Sequence, residues 1–301
     1  MAVQGQSEER TFIHDGIERT YSIYIPKTPN KSRSLPLLIA LHGGRGSAKD
    51  WPRYTNYGFE HLADREHFIL VYPNGVEGQW NDGRGIEHLH AQRENIDDAG
   101  FLARLIDELT LSLAVDKGRV YVVGASNGGM MAHKLAAEYA DRVTAIASVI
   151  ASIPANLEGK LKPAEPVSVL MMNGTEDPLV LWEGGPIKFG RNMNGYVIST
   201  EQAFDFWVDH NKCAGPSESI DLLDKDPDDE TRVTGLRYVN CASGSEVVLY
   251  KVIGGGHTWP AHEETRGRLG KLLVDRTIGR RSREIDACEV IWQFFKGHVK
   301  R

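Results

Sequence analysis

The sequence predicts an α/β fold, a mostly parallel central sheet with helices on both faces. Three features of the 301-residue chain point to it. Short apolar runs bounded by polar turns recur along its length, several rich in Val and Ile, as strands buried on both faces do. Stretches with helical apolar spacing lie between them, and alternation of the two implies a layered α/β architecture. No internal repeat and no Pro/Gly/Ser-rich linker interrupts the pattern, so residues 1–301 are expected to form a single domain.

The first expected strand is Tyr21–Ile25, whose alternation around Tyr21, Ile23 and Ile25 suits a more exposed antiparallel position. Buried strands follow at Leu35–Leu41 and Phe68–Tyr72. A helix with Phe101, Leu105 and Leu109 on one face, and Leu102, Ile106 and Leu113 beside them, leads to the strand Val120–Val123. The next helix carries the stripe Met130, Met131, Leu135 and Tyr139. Strands Val143–Ile150 and Val167–Met172 come next. Ser199-Thr200-Glu201-Gln202 reads as a capping box, opening a helix that turns Phe206 and Trp207 inward. A last buried strand spans Val247–Ile253, and a final helix carries Ile285, Val290, Ile291, Phe294 and Phe295.

Composition excludes several classes. With 35 Lys+Arg against 41 Asp+Glu the formal net charge is −6, opposite to the basic excess of a nucleic-acid binder. No run approaches the ~18 apolar residues of a membrane span. Met1–Gln6 shows neither the basic nor the apolar region of a signal peptide. Asp221–Glu230 lacks the order of an EF-hand loop and is expected to be a solvated surface loop. Ala261–Arg283, rich in arginine, is expected to run over the surface. The cysteines are Cys213, Cys241 and Cys288. Their count allows three reduced buried thiols, or one disulfide and one free thiol, and no spacing suggests a metal site.

The chemistry centres on Gly124-Ala125-Ser126-Asn127-Gly128. The motif lies between the buried strand ending at Val123 and a helix running from Asn127. A serine on so tight a strand-to-helix turn is strained, with its hydroxyl exposed at the sheet edge, and glycines at 124 and 128 keep side chains out of the neighbouring backbone. Ser126 is therefore the candidate nucleophile. Dinucleotide and phosphate loops fail on spacing, because Ser126 and Ala48 stand where those motifs need glycine.

An acyl-transfer serine needs oxyanion donors. The amide after the nucleophile belongs to Asn127. The glycine-rich segment Leu41-His42-Gly43-Gly44-Arg45-Gly46 follows an early strand and offers the Gly44 amide, with Arg45 as the alternative. His42 is expected to brace this loop through its ring. In such hydrolase sheets the order along the chain is serine, acid, histidine. Gly254-Gly255-Gly256-His257 directly follows the last strand, which makes His257 the base. Asp177, after the strand Val167–Met172, is the acid, with Glu176 as its neighbouring competitor. His88 and His90 lack the strand context of a metal pair and are assigned to a surface loop. No metal and no cofactor is expected.

These segments resemble the α/β-hydrolase esterases of the polyhydroxybutyrate depolymerase-like family, close to feruloyl and acetylxylan esterases. The resemblance rests on Leu41-His42-Gly43-Gly44, Trp80-Asn81-Asp82-Gly83-Arg84, Asp98-Ala99-Gly100-Phe101, Val120 to Met131, Gly174-Thr175-Glu176-Asp177-Pro178 and Gly254 to Pro260, in family order. It implies the α/β-hydrolase fold and a Ser126–Asp177–His257 triad, agreeing with the choice made from the residues. It also implies export in many relatives and a Cys213–Cys241 disulfide. Cys288, on the apolar face of the final helix with Ile285 and Ile291, is expected to be a buried thiol. The chain departs from the family in its lack of a visible leader, its long basic segment after Pro260, and the absence of a polymer-binding domain, which disfavours crystalline polyester. Trp80, Trp182 and Trp259 fall in loops expected at the catalytic end and are candidates to stack on a phenolic acyl group. The expected activity is hydrolysis of a feruloyl-type or related small or carbohydrate-linked ester. Hydroxybutyrate oligomers and acetylated xylan are alternative substrates, and a non-catalytic binding protein on a hydrolase scaffold is the alternative of another class.

Overall fold

The computed structural model describes residues 3–27, 34–190, 192–261 and 276–300. Twelve strands and seven helices appear among them, apart from short 3₁₀ turns. In order they are β1 Gln6–His14, β2 Ile17–Ile25, β3 Leu35–Leu41, α1 Trp51–Tyr54, α2 Gly58–Glu66, β4 Ile69–Pro73, α3 His90–Arg93, α4 Asp98–Ser112, β5 Val115–Ala125 and α5 Asn127–Glu138. There follow β6 Ala145–Val149, β7 Ser168–Gly174, β8 Gly185–Phe189, β9 Asn192–Val197, α6 Thr200–His210, β10 Glu218–Asp221, β11 Arg232–Tyr238, β12 Val247–Ile253 and α7 Ala287–Lys296.

Ten strands form one sheet in the order β1-β2-β4-β3-β5-β6-β7-β12-β11-β10. Its centre is parallel from β4 through β3, β5, β6 and β7 to β12. Antiparallel strands close both edges. The strand period of two decides which residues face which layer. On β5, Val120 and Val122 join the core under α4, α5 and α6, while Tyr121 and Val123 join the core under α2 and α7. On β3, Leu37, Ile39 and Leu41 go one way and Leu38 and Ala40 the other. The unbroken apolar runs Val120–Val123 and Leu37–Leu41 are thus accounted for by helices on both faces.

The capping box forms at α6: Ser199 Oγ accepts from the Gln202 amide at 3.0 Å and Gln202 Oε1 from the Ser199 amide at 2.9 Å. Its inward pair is Phe204 and Trp207, whereas Phe206 is only half-buried. Strands β1, β8, β9, β10 and β11 were not expected. β1 is mostly exposed on an edge, and β8 and β9 form a separate hairpin, so neither needs an apolar run. Within the expected surface loop 221–230, Asp229 is buried and accepts from the Thr231 and Arg283 amides, each at 2.7 Å. Much of the arginine-rich segment, residues 262–275, lies outside the described residues. Its end runs beside the last glycine loop, where the Gly256 amide donates to Arg280 O at 2.9 Å.

Cys213 and Cys241 are bonded to each other, and Cys288 is a buried free thiol. Among the described residues no helix is long and apolar enough to cross a membrane.

Candidate active site

The parallel strands all end at one edge, and the segments that follow six of them meet there around a cavity of about 610 Å³. Ser126 sits between β5 and α5 with φ 53° and ψ −121°, a backbone region costly for any residue with a side chain. Close packing holds it there. A Cβ on Gly124 would lie 2.1 Å from Gly128 O, and one on Gly128 would lie 2.1 Å from Leu41 O. The Ser126 amide also donates to Val149 O at 2.9 Å on the adjacent β6. The turn thus points Ser126 into the cavity at the start of α5, where helix amides favour developing negative charge.

His257, on the loop after β12, lines the same cavity. Its Nδ1 lies 2.7 Å from Asp177 Oδ2. The Asp177 carboxylate is almost wholly buried, and its other oxygen accepts from the Leu179 and Val180 amides at 2.8 and 2.9 Å. An acceptor so placed takes a hydrogen bond from Nδ1–H and so favours the tautomer whose Nε2 is free of a proton. Ser126 and His257 share the cavity without a direct hydrogen bond; such bonds are often long before substrate arrives. The competing Glu176 is exposed and pairs with Arg280 at 2.9 Å, so it does not hold His257.

The loop after β3 carries Gly44 and Arg45. The Arg45 amide is engaged within the protein, donating to Gly78 O at 2.8 Å. Among the described residues, no hydrogen bond engages the Gly44 amide or the Asn127 amide. His42 is buried, its Nε2 accepting from the Gly75 amide at 2.9 Å and its Nδ1 lying 2.8 Å from Gly43 O. That pair of bonds selects the neutral Nδ1–H tautomer, and burial pushes its pKa below the ordinary histidine value. The ring therefore braces the glycine loop.

A buried network backs the elbow. Asn127 Oδ1 accepts from the Trp80 amide at 2.9 Å, and its Nδ2 donates to Trp80 O at 3.1 Å and to Asp82 Oδ2 at 2.6 Å. Asp82 in turn binds the Arg84 guanidinium at 2.8 Å and Gln92 Nε2 at 3.0 Å. Arg84 reaches on to Asn194 O of β9 at 2.9 Å. Sequence reasoning missed the part played by Asp82. The Trp-Asn-Asp-Gly-Arg motif was visible, but nothing local shows that it folds against Asn127.

The three tryptophans do not line the cavity, a correction to their expected role. Trp80 is fully buried beneath the glycine loop, donating through Nε1 to His42 O at 2.9 Å and packing on the His42 ring. Trp182 belongs to the core under α6, with Lys251 over its ring. Trp259 packs edge-on against Trp51 and Phe59. Flat apolar rings in these loops gain more by closing the core than by facing water. The cavity's aromatic residues are instead Trp51, Tyr54 and Phe189, and its apolar wall is Met130, Ile150, Leu179, Val180 and Ile187. His88 also lines it, 3.2 Å from Asn194 Oδ1, whereas His90 pairs with Glu77 at 2.8 Å.

The only grouping with metal-ligand geometry among the described residues is His14, Asp15 and Asp97, far along the sheet on β1 and before α4, with both aspartates exposed. None of its members lines the cavity.

The alpha/beta hydrolase fold family matches residues 36–206. A protein named "Putative esterase NocK" from Nocardia uniformis subsp. tsuyamanensis is 31% identical over 83% of this chain and 73% of its own length. Feruloyl esterase B of Piromyces equi is 27% identical over 84% of this chain, which spans 44% of that longer protein. Among solved structures, acetyl xylan esterase from Aspergillus awamori superposes over 86% of this chain and 96% of its own with a TM-score of 0.58 at 15% identity, a likeness of fold.

Proposed function

This chain belongs to the α/β-hydrolase fold family and is a carboxylic ester hydrolase, and on that premise we propose that Ser126, His257 and Asp177 carry out a two-step acyl transfer. One observation carries the reading: a serine strained onto a strand-to-helix turn opens into the cavity lined by His257, which is paired behind it with the buried Asp177. Ser126 Oγ attacks the ester carbonyl while His257 Nε2 takes its proton. Asp177 keeps the imidazole in the required tautomer and stabilises the imidazolium. The oxyanion of the tetrahedral intermediate accepts from the Asn127 and Gly44 amides. His257 then protonates the leaving alcohol, and a water it activates releases the acid from Ser126.

The substrate is a small or carbohydrate-linked ester with an aromatic acyl group, of the feruloyl type. A planar acyl group is supported by the aromatic and apolar lining of Trp51, Tyr54, Phe189, Ile187 and Val180. The names of the relatives, feruloyl and acetylxylan esterases, favour the same class. The disulfide supports export, since such bonds persist in oxidising compartments.

The test is labelling with a fluorophosphonate, followed by peptide mapping. An adduct on Ser126, together with faster hydrolysis of methyl ferulate than of acetylated xylan or hydroxybutyrate oligomers, is the expected outcome. Labelling elsewhere, or none in folded protein, overturns the assignment of the nucleophile; a preference for acetylated xylan overturns the acyl group.

A further inference from the structure

The charge of the cavity bears on which esters enter it, an inference that rests on the esterase reading above. The protein as a whole is acidic, with a formal net charge of −6. The cavity is not: Arg45, Arg84 and Lys188 line it against one carboxylate, Asp50, which accepts from Ser47 Oγ at 2.7 Å. Arg84 is buried and already bound to Asp82. Arg45 and Lys188 are different. Both are exposed at the cavity, and among the described residues neither has an acidic partner.

They come from two separate elements. Arg45 stands on the glycine loop after β3, and Lys188 on the β8–β9 hairpin. The two elements meet where the Arg45 guanidinium lies 4.8 Å from the centre of the Phe189 ring. Arg45 also holds a left-handed backbone, φ 63°, that glycine or asparagine would occupy with less strain. A long cation at such a position, lining the same cavity as Ser126 and its apolar residues, is an arrangement in which a charge on a ligand is felt strongly.

We propose that the cavity takes an ester bearing a free carboxylate in addition to the scissile ester, and that Arg45 and Lys188 hold that carboxylate. Arg45 supplies a planar fork suited to a carboxylate, and Lys188, next to the Phe189 that Arg45 stacks on, a mobile point charge. The aromatic ring of Phe189 beside Arg45 would lie against the chain that connects carboxylate and ester.

The experiment compares matched ester pairs at low ionic strength. On the acyl side the pair is 4-nitrophenyl hydrogen adipate and its uncharged isostere, 4-nitrophenyl 6-methylheptanoate. On the alcohol side it is the acetate esters of 3-hydroxybenzoate and 3-hydroxybenzamide. The expected result is a kcat/KM ratio favouring the anion by about tenfold in at least one pair, the scale of one charge-assisted hydrogen bond. That ratio falls toward one in Lys188→Gln and in Arg45→Gln, and falls in wild type as salt is raised to 0.5 M, an arm set by roughly one 4 Å screening length. Reading the ratio within each variant separates loss of the preference from loss of activity. Ratios at or below one in both pairs, or a preference untouched by both substitutions, overturn the proposal. If no ester of either pair, charged or uncharged, is hydrolysed by folded protein, the esterase reading fails instead.

Discussion

Asp82 Oδ2 accepts a 2.6 Å hydrogen bond from Asn127 Nδ2, linking a carboxylate with no solvent exposure to the residue immediately after Ser126. The bond runs from a loop between β4 and α3 to the first residue of α5, across 45 positions of sequence. It fixes the peptide whose amide is proposed to receive the oxyanion. Asp82→Asn keeps the shape but removes the charge shared by Asn127, Arg84 and Gln92. Turnover is expected to fall by about tenfold or more, less than the ~10²–10³ for deleting an oxyanion donor outright. KM should change little, because the lost interaction is made in the transition state. Steady-state kinetics below the variant's unfolding temperature check this. An unchanged kcat, or a loss confined to KM, removes Asp82 from a positioning role.

Ser126→Ala should leave the fold intact and lower turnover by on the order of 10³ or more. Circular dichroism and ester hydrolysis measured on the same sample check both halves. Near-wild-type turnover in a pure preparation would show that another group attacks the ester.

Acid stability is governed in part by two buried imidazoles. Trp207 Nε1 donates to His133 Nδ1 at 3.0 Å, and burial pushes the His133 pKa from 6.5 down to about 3. His42 is lowered in the same direction by burial. In the unfolded chain both take a proton near pH ~6.5, whereas the folded protein keeps them neutral. The unfolded state therefore binds more protons below that pH, and stability declines as the pH falls from ~6.5 toward 3. The loss from His133 alone should reach a few kcal/mol at the acid end. His133→Gln retains an acceptor for Trp207 and cannot titrate. Its urea midpoint should drop less than the wild type's between pH 6.5 and 4, and parallel slopes would contradict the assignment.

Thiol counting offers a separate check. Denatured without reductant, the protein should show one free thiol, Cys288, because Cys213 and Cys241 are bonded. Burial also holds the Cys288 thiol well above its usual pKa, so it should resist alkylation until unfolding. Reducing the bond across a separation of 28 residues should cost roughly 3 kcal/mol in the chain-entropy description. Three reactive thiols in the unreduced, denatured protein would mean that the bond does not form.

The elements nearest the site were the most legible. The expected strands Leu35–Leu41 and Val247–Ile253 coincide with β3 and β12, since each sends residues into the cores on both sides of the sheet and polar turns mark their ends. Candidate groups on short loops directly after such strands inherit that legibility, and Ser126, Asp177 and His257 all stand there. The edge strands β1 and β10, the β11 strand beside β10 and the β8–β9 hairpin were not legible. Their half-exposed surfaces need no apolar run, so the hairpin that brings Ile187, Lys188 and Phe189 to the cavity left no local mark.

By itself the sequence determined the layered α/β architecture, the strand-to-helix serine turn and the order of the three candidate groups, because each depends on residue type and spacing along a few neighbouring positions. Tertiary structure alone decided the rest. It chose Asp177 over Glu176 beside His257, since Arg280 draws Glu176 to the surface. It sent Trp80, Trp182 and Trp259 into the core and brought Trp51 and Tyr54 to the cavity. It joined Asn127 to Asp82. Burial and pairing are relations between segments far apart in the chain, and local periodicity records only that a residue is apolar or polar, not which neighbour it will meet.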